Sequence, residues 1–143
     1  MDECVFCRII QGKLPTSRVY ASEYVWVILD TQPLTPGHML VIPTDHYPDL
    51  ESLTPKAAAH MMITAQRMAR ILRRSGLRCE GVNLILSDGQ AAGQDIYHAH
   101  LHIIPRFRGD GFGFRIPAGY RDKPDRQTLD DIAQQLRDAL CDG

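Results

Sequence analysis

Long hydrophobic runs are missing from this chain of 143 residues. None approaches the ~20 apolar residues that a bilayer-spanning helix needs, so no membrane partner is expected. An excess of charge of one sign is missing too: 16 basic residues stand against 17 acidic ones, for a net charge of −1. A protein that coats nucleic acid would carry a basic excess, and none is expected to bind here. The opening Met1-Asp2-Glu3-Cys4 lacks the basic and apolar regions of a secretory signal, so a cytoplasmic protein is the expectation. Repeats, low-complexity tracts and linkers are absent. The length suits one domain over 1–143, with a core at about 4–113 and a helical segment at about 125–141. What is present, 44% hydrophobic and 23% charged residues, matches an ordinary globular composition.

Element signals are clear in several places. Residues 5–12 read as one short helix ending at Gly12, and Val19-Tyr20 and Tyr24–Leu29 as two strands rich in β-branched and aromatic residues. Pro33, Pro36 and Gly37 mark a turn, followed by a strand His38–Ile42. Thr54-Pro55 reads as an N-cap with proline at the first helical position. The helix it opens carries Ala58, Met61, Met62, Ala65, Met68, Ala69 and Leu72 at helical spacing, a core stripe that ends near Ser75. Val82–Leu86 and Ile96–Ile104 read as strands, the second stopped by Pro105, with a polar loop at 87–94 between them. Leu129, Ile132, Leu136 and Leu140 make a final amphipathic helix. Short turns favour antiparallel pairing, so the class is α+β: an antiparallel sheet with packed helices.

Chemistry concentrates in His98-Ala99-His100-Leu101-His102-Ile103-Ile104. Alternate strand residues share a face, so three imidazoles point one way, about 6.5–7 Å apart, while Ala99, Leu101 and Ile103 face the core. Buried imidazoles need partners and repel one another when charged, so three in register mark a functional site. Metal chelation by the three rings is an alternative. The loop just upstream contains Gly89 and Gly93, and glycines let backbone N–H groups face an anion, which points to phosphate chemistry. Arg67, Arg70, Arg73 and Arg74 read as a solvated helix face, whereas Arg106 and Arg108 follow the histidines and are candidates to meet phosphate. Cys4-Val5-Phe6-Cys7 has the spacing of a metal half-site or a redox pair, with free thiols as the plain alternative. Cys79 and Cys141 read as plain thiols.

The histidine segment resembles the His-φ-His-φ-His-φ-φ signature of the histidine-triad nucleotide hydrolases and transferases, with Ala99 counted as φ. Phe6-Cys7-Arg8-Ile9-Ile10, Leu29-Asp30-Thr31, Pro36-Gly37-His38, Leu40-Val41-Ile42-Pro43 and Ala92-Gly93-Gln94 resemble further landmarks of that family, in its order. The resemblance implies that His100 is the nucleophile, that its other ring nitrogen donates to a backbone carbonyl, and that His102 contacts the phosphate or bridging oxygen, with His98 completing the triad. It implies a phosphate or leaving-group contact at Gln94, beside Gly93, and a polar contact at Ser87, where close relatives often carry an amide. Asp30 would bond the ribose hydroxyls, or would simply cap its turn. Val5, Phe6, Ile9, Ile28 and Leu29 match the walls of the base pocket, or are plain core. The cysteine-containing branch implies a structural zinc held by Cys4, Cys7, His46 and His98. A homodimer is also implied, with Gly111–Phe114 and the C-terminal segment reaching the partner. Asp95 departs from the family, which usually carries Ser or Thr there: it either faces the pocket and selects substrates, or caps the loop.

The activity expected from the resemblance is hydrolysis or transfer at the α-phosphate of a purine nucleotide, an adenosine phosphoramidate or a diadenosine polyphosphate, through a nucleotidyl-histidine. The alternatives are a nucleotide-binding module with little turnover, and a metal-binding protein.

Overall fold

The computed structural model describes residues 3–141, which form α1 (Val5–Ile10), β1 (Arg18–Ala21), β2 (Val25–Leu29), β3 (Met39–Pro43), α2 (Pro55–Arg74), β4 (Gly81–Ile85), β5 (Leu101–Arg106) and α3 (Arg126–Cys141). One turn of 3₁₀ helix spans Gln90–Ala92. The chain divides into two compact units, one up to Phe112 and one from Gly113 on.

The first unit is a five-stranded antiparallel sheet in the order β1-β2-β3-β5-β4. Alternation along the strands sorts its two faces. Val25, Val27, Met39, Val41, Leu101 and Ile103 point to one side and meet Ala57, Met61, Ala65, Met68 and Leu72 of α2. Ile28, Leu40 and Ile42 point to the other and meet Phe6 and Ile9 of α1. Central β3 is therefore buried at every position. The long α2 covers the centre of its face; the six-residue α1 covers only part of the opposite one.

Helix α2 begins where the sequence places it. The Thr54 side chain accepts the Ala57 N–H at 3.1 Å, Pro55 starts the first turn, and Arg73 and Arg74 sit at the negative end of the dipole. Several boundaries differ from expectation. Helix α1 ends at Ile10, and the N–H groups of Gln11 and Gly12 close it by bonding the Cys7 and Ile9 carbonyls. The strand expected from Ile96 begins only at Leu101, because its ladder to β3 starts at the Val41–Leu101 pair. Ahead of it, the Ala99 N–H donates at 2.7 Å to the Tyr47 carbonyl, outside the ladder. The strand also runs on through Pro105, whose carbonyl accepts the Thr35 hydroxyl at 2.7 Å and ties the turn after β2 to β5.

In the second unit the Asp125 carboxylate accepts the Thr128 N–H at 2.8 Å and caps α3. The helix stripe Leu129, Ile132, Leu136 and Leu140 is exposed.

Candidate active site and metal centre

Each histidine of the row has one ring nitrogen committed to a partner, and the partners fix the tautomers. His100 Nδ1 lies 2.8 Å from the His98 carbonyl. A carbonyl only accepts, so Nδ1 carries the hydrogen and Nε2 keeps its lone pair. His98 Nε2 lies 2.9 Å from the Pro43 carbonyl, so its hydrogen is on Nε2 and its Nδ1 lone pair is free. His102 is set by a relay. The Leu34 N–H donates to His38 Nδ1 at 3.1 Å, so His38 Nε2 bears the hydrogen and donates to His102 Nδ1 at 2.9 Å. His102 is left with Nε2–H as a donor.

Burial favours the neutral form of His102, His38 and His98. It pushes His102 down to about 4, helped by the nearby His100 and His38, while Asp30 and Asp95 pull the other way. Burial lowers His38 as well and outweighs the attraction of Asp30, whose carboxylate oxygen stands 3.6 Å from His38 Nε2. His98 is fully buried and lowered for the same first reason.

His100 and His102, with ring centres 5.0 Å apart, line a cavity of about 420 Å³ on the α1 face of the sheet. Val5, Phe6, Ile9, Leu14, Ile28 and Leu40 supply its apolar lining. Asp30, Thr31, Gln32 and Asp95 supply polar groups. Phe6 packs edge-on against both His98 and His100, with ring centres 5.6 and 5.2 Å away. An apolar cavity with a few convergent polar groups suits a small molecule with a flat apolar part and a charged part.

The structure thus brings Val5, Phe6, Ile9, Ile28, Asp30, Asp95, His100 and His102 together. Leu29, Ser87, Gly93 and Gln94 lie outside the cavity lining. Leu29 turns to solvent at the end of β2. Gln94 turns inward: its amide N–H groups donate to the Pro48 and Ile96 carbonyls at 2.7 and 3.1 Å, and its Oε1 accepts the Gly89 N–H at 2.9 Å. Gly93, at φ +89°, provides the left-handed turn that sends it there. Gln94 braces the loop. Asp30 does cap its turn, accepting the Gln32 N–H at 2.8 Å, while still lining the cavity.

Arg106 and Arg108 do not line the cavity either. The Arg106 guanidinium is spent on Asp110 at 2.7 and 3.0 Å, on Asn83 at 2.6 Å and on the Phe112 carbonyl. Sequence reasoning missed Leu14-Pro15-Thr16, Thr31, Gln32 and Leu40, which only the fold brings to the cavity, and missed His38 as the group that orients His102.

A second cluster adjoins the first. Cys4, Cys7, His46 and His98 offer ligand atoms that all lie within 4.8 Å of one another. His98 Nδ1 is 3.2 Å from His46 Nδ1, 3.4 Å from Cys4 Sγ and 3.6 Å from Cys7 Sγ, and Cys7 Sγ is 3.3 Å from His46 Nδ1. Tetrahedral zinc bonds of ~2.0–2.1 Å to nitrogen and ~2.3 Å to sulfur give ligand edges of about 3.3 Å (N to N) and 3.6 Å (N to S). The four residues therefore fit a metal ion. Burial pushes the Cys7 thiol up to about 11, with the Cys4 neighbour adding to the shift, so a thiolate here calls for a cation. No member of this set is left over as an open position.

Known proteins share this architecture. The HIT domain family model matches residues 11–109. An uncharacterised HIT-like protein of Mycobacterium tuberculosis is 39% identical over 138 residues, covering 96% of this chain and 93% of that protein. Adenylylsulfatase HINT3 of Arabidopsis thaliana is 42% identical over 110 residues, 76% of this chain and 55% of that protein. The crystal structure of a zinc-bound histidine triad family protein from Mycobacterium smegmatis superposes with a TM-score of 0.76 at 42% identity, covering 96% of this chain and 98% of that one. With its buried imidazole row on the sheet and these relatives, the chain belongs to the histidine-triad family.

Proposed function

We propose that the protein is a nucleotide hydrolase or nucleotidyl transferase that cleaves at the α-phosphate of a purine nucleotide, an adenosine phosphoramidate or a diadenosine polyphosphate, with His100 as nucleophile. One observation carries this reading: His100 lines the cavity with Nδ1 held by the His98 carbonyl, so Nε2 is the nitrogen with a free lone pair. The adenylylsulfatase relative supports hydrolysis of a bond to an adenylyl phosphate.

For a phosphoramidate, the Nε2 lone pair forms the bond to phosphorus. The P–N bond breaks, and the departing amine nitrogen keeps its electron pair and takes a proton from solvent. In the second step a water oxygen bonds to phosphorus, the P–Nε2 pair returns to the imidazole, and the water's proton goes to solvent. One hard displacement becomes two easier ones. His102 donates its Nε2–H hydrogen bond to a phosphoryl oxygen, fixed for that task by His38. Asp30 receives the ribose hydroxyls, and the apolar lining receives the base.

Zinc is the metal that best fits two thiolates and two imidazoles at these spacings, and with four protein ligands it would be structural. It would hold α1 and the His46 loop against the segment bearing His100. We assign the functional unit to a homodimer in the cytoplasm. Edge strand β4 supports the pairing, since its Val82 and Leu84 flank an apolar groove with Met62 and Ile63 of α2, the kind of surface a second copy covers. Light scattering on the purified protein reports the oligomer. The catalytic reading is tested by incubating the protein with an adenosine phosphoramidate and quenching in alkali: an adenylyl adduct on His100 is expected, and its absence during active turnover would count against covalent catalysis.

A further inference from the structure

The charge of the cavity does not match that of a polyphosphate. Among the described residues that line it, none is a lysine or an arginine, and two are carboxylates. Arg106, the arginine that follows the histidine row, is locked to Asp110 and Asn83. His102 is neutral at pH 7, so it offers a hydrogen bond and no charge.

The two carboxylates differ in their freedom. Asp30 is committed to the Gln32 N–H and stands beside His38. Asp95 is exposed, lines the cavity, and makes no hydrogen bond or ion pair with any described residue. Its field is felt at His102, where it favours the protonated ring. On one side of Asp95, Gln94 is buried and triply bonded, and on the other Ile96 reaches the cavity. Once the apolar lining has taken a base, what remains is polar space shared by the α-phosphate and the group that departs from it.

We propose that Asp95 is a specificity-determining residue: its carboxylate selects leaving groups that carry positive charge, such as amines bearing a second ammonium, and disfavours leaving groups that are themselves phosphates. This rests on the reading of the cavity as a site of nucleotidyl transfer. An α-phosphoramidate brings one negative charge to the cavity. A dinucleoside polyphosphate adds further phosphate charges beyond the α-phosphate, with no arginine or lysine among the lining residues to receive them. Charges about 6 Å apart in a partly wet site interact strongly enough to shift the ratio of cationic to anionic substrate about tenfold.

The test compares three adenosine 5′-phosphoramidates with the same P–N bond, whose amines end in an ammonium, a methyl or a carboxylate. For the wild type, kcat/KM should fall in that order. Asp95→Asn should shrink the ratio of cationic to anionic substrate by about tenfold, equivalent to about 1.4 kcal/mol. Asp95→Glu, which keeps the charge, should preserve the order. A second arm measures binding of adenosine mono- and diphosphate by calorimetry, and Asp95→Asn should improve diphosphate affinity relative to monophosphate about fivefold or more. Wild type that turns over none of the three substrates sinks the hydrolase reading, and the binding arm then judges Asp95 alone. An unchanged cationic-to-anionic ratio in Asp95→Asn overturns the inference, as does an unchanged diphosphate-to-monophosphate ratio where nothing turns over.

Discussion

Removing the metal centre probes the fold and the site together. The perturbation is Cys4→Ser with Cys7→Ser, which keeps the shape of both side chains and removes both thiolates. Cys4 lies at the N-cap of α1, and its sulfur accepts the Cys7 N–H at 3.5 Å. The partner histidines come from 39 and 94 residues away along the chain. Without a cation, the Nδ1 atoms of His46 and His98 face each other at 3.2 Å, and one of them must gain a hydrogen. Zinc at a thousand times its dissociation constant stabilises a fold by about 4 kcal/mol. At roughly 3 °C per kcal/mol for a domain of this size, the double variant should melt about 10–15 °C lower. The assay is elemental analysis of protein purified without chelator, followed by thermal melting with and without zinc. Wild type should carry about one zinc per chain and the variant none. A metal-free wild type that melts at the same temperature as the variant would refute the assignment.

Three further outcomes are expected. His100→Ala should lose the adenylyl adduct and at least about a thousandfold in kcat while His98 still holds its place through the Pro43 carbonyl; a folded variant with full turnover would be decisive against the nucleophile. His102 sits at about 4 in the folded protein against an ordinary 6.5, so between those pH values the unfolded chain binds a proton that the folded chain does not. Stability should therefore rise with pH across that window and be lost as pH falls through it, by on the order of 1–2 kcal/mol after solvent screening, and His102→Gln should flatten the urea-melting profile there. Gln94→Ala should cost about 1–2 kcal/mol in urea unfolding, because three part-buried hydrogen bonds, to the Pro48 and Ile96 carbonyls and from the Gly89 N–H, are lost; a change within experimental error would show that the loop is braced elsewhere.

Patterns local to the chain were legible without coordinates. The α2 helix announces both its ends, through Thr54-Pro55 and Ser75-Gly76, and its buried stripe repeats at helical spacing. The alternation through His98, His100 and His102 places the rings on one face and Ala99, Leu101 and Ile103 in the core, and it holds even where the segment leaves the ladder. Extended backbone keeps a two-residue period whether or not a neighbour is bonded to it. Boundaries were less legible, since the start of β5 depends on where β3 runs out.

Contacts between distant segments belong to tertiary structure. That His46 closes the cluster with Cys4, Cys7 and His98 was expected only through family resemblance; its own neighbours, Asp45 and Tyr47, carry no ligand signal. Nothing near Gln94 in sequence shows that Pro48 will accept its amide. Arg106 is a free cation on paper and a spent one beside Asp110. His38 becomes the group that aims His102 because β3 and β5 pair Leu40 with His102. Composition and period specify which face each residue presents, because they depend on one segment's geometry. Which atoms satisfy a polar group depends on segments the chain brings together only when it folds, and that decided which of the candidate residues reach the cavity.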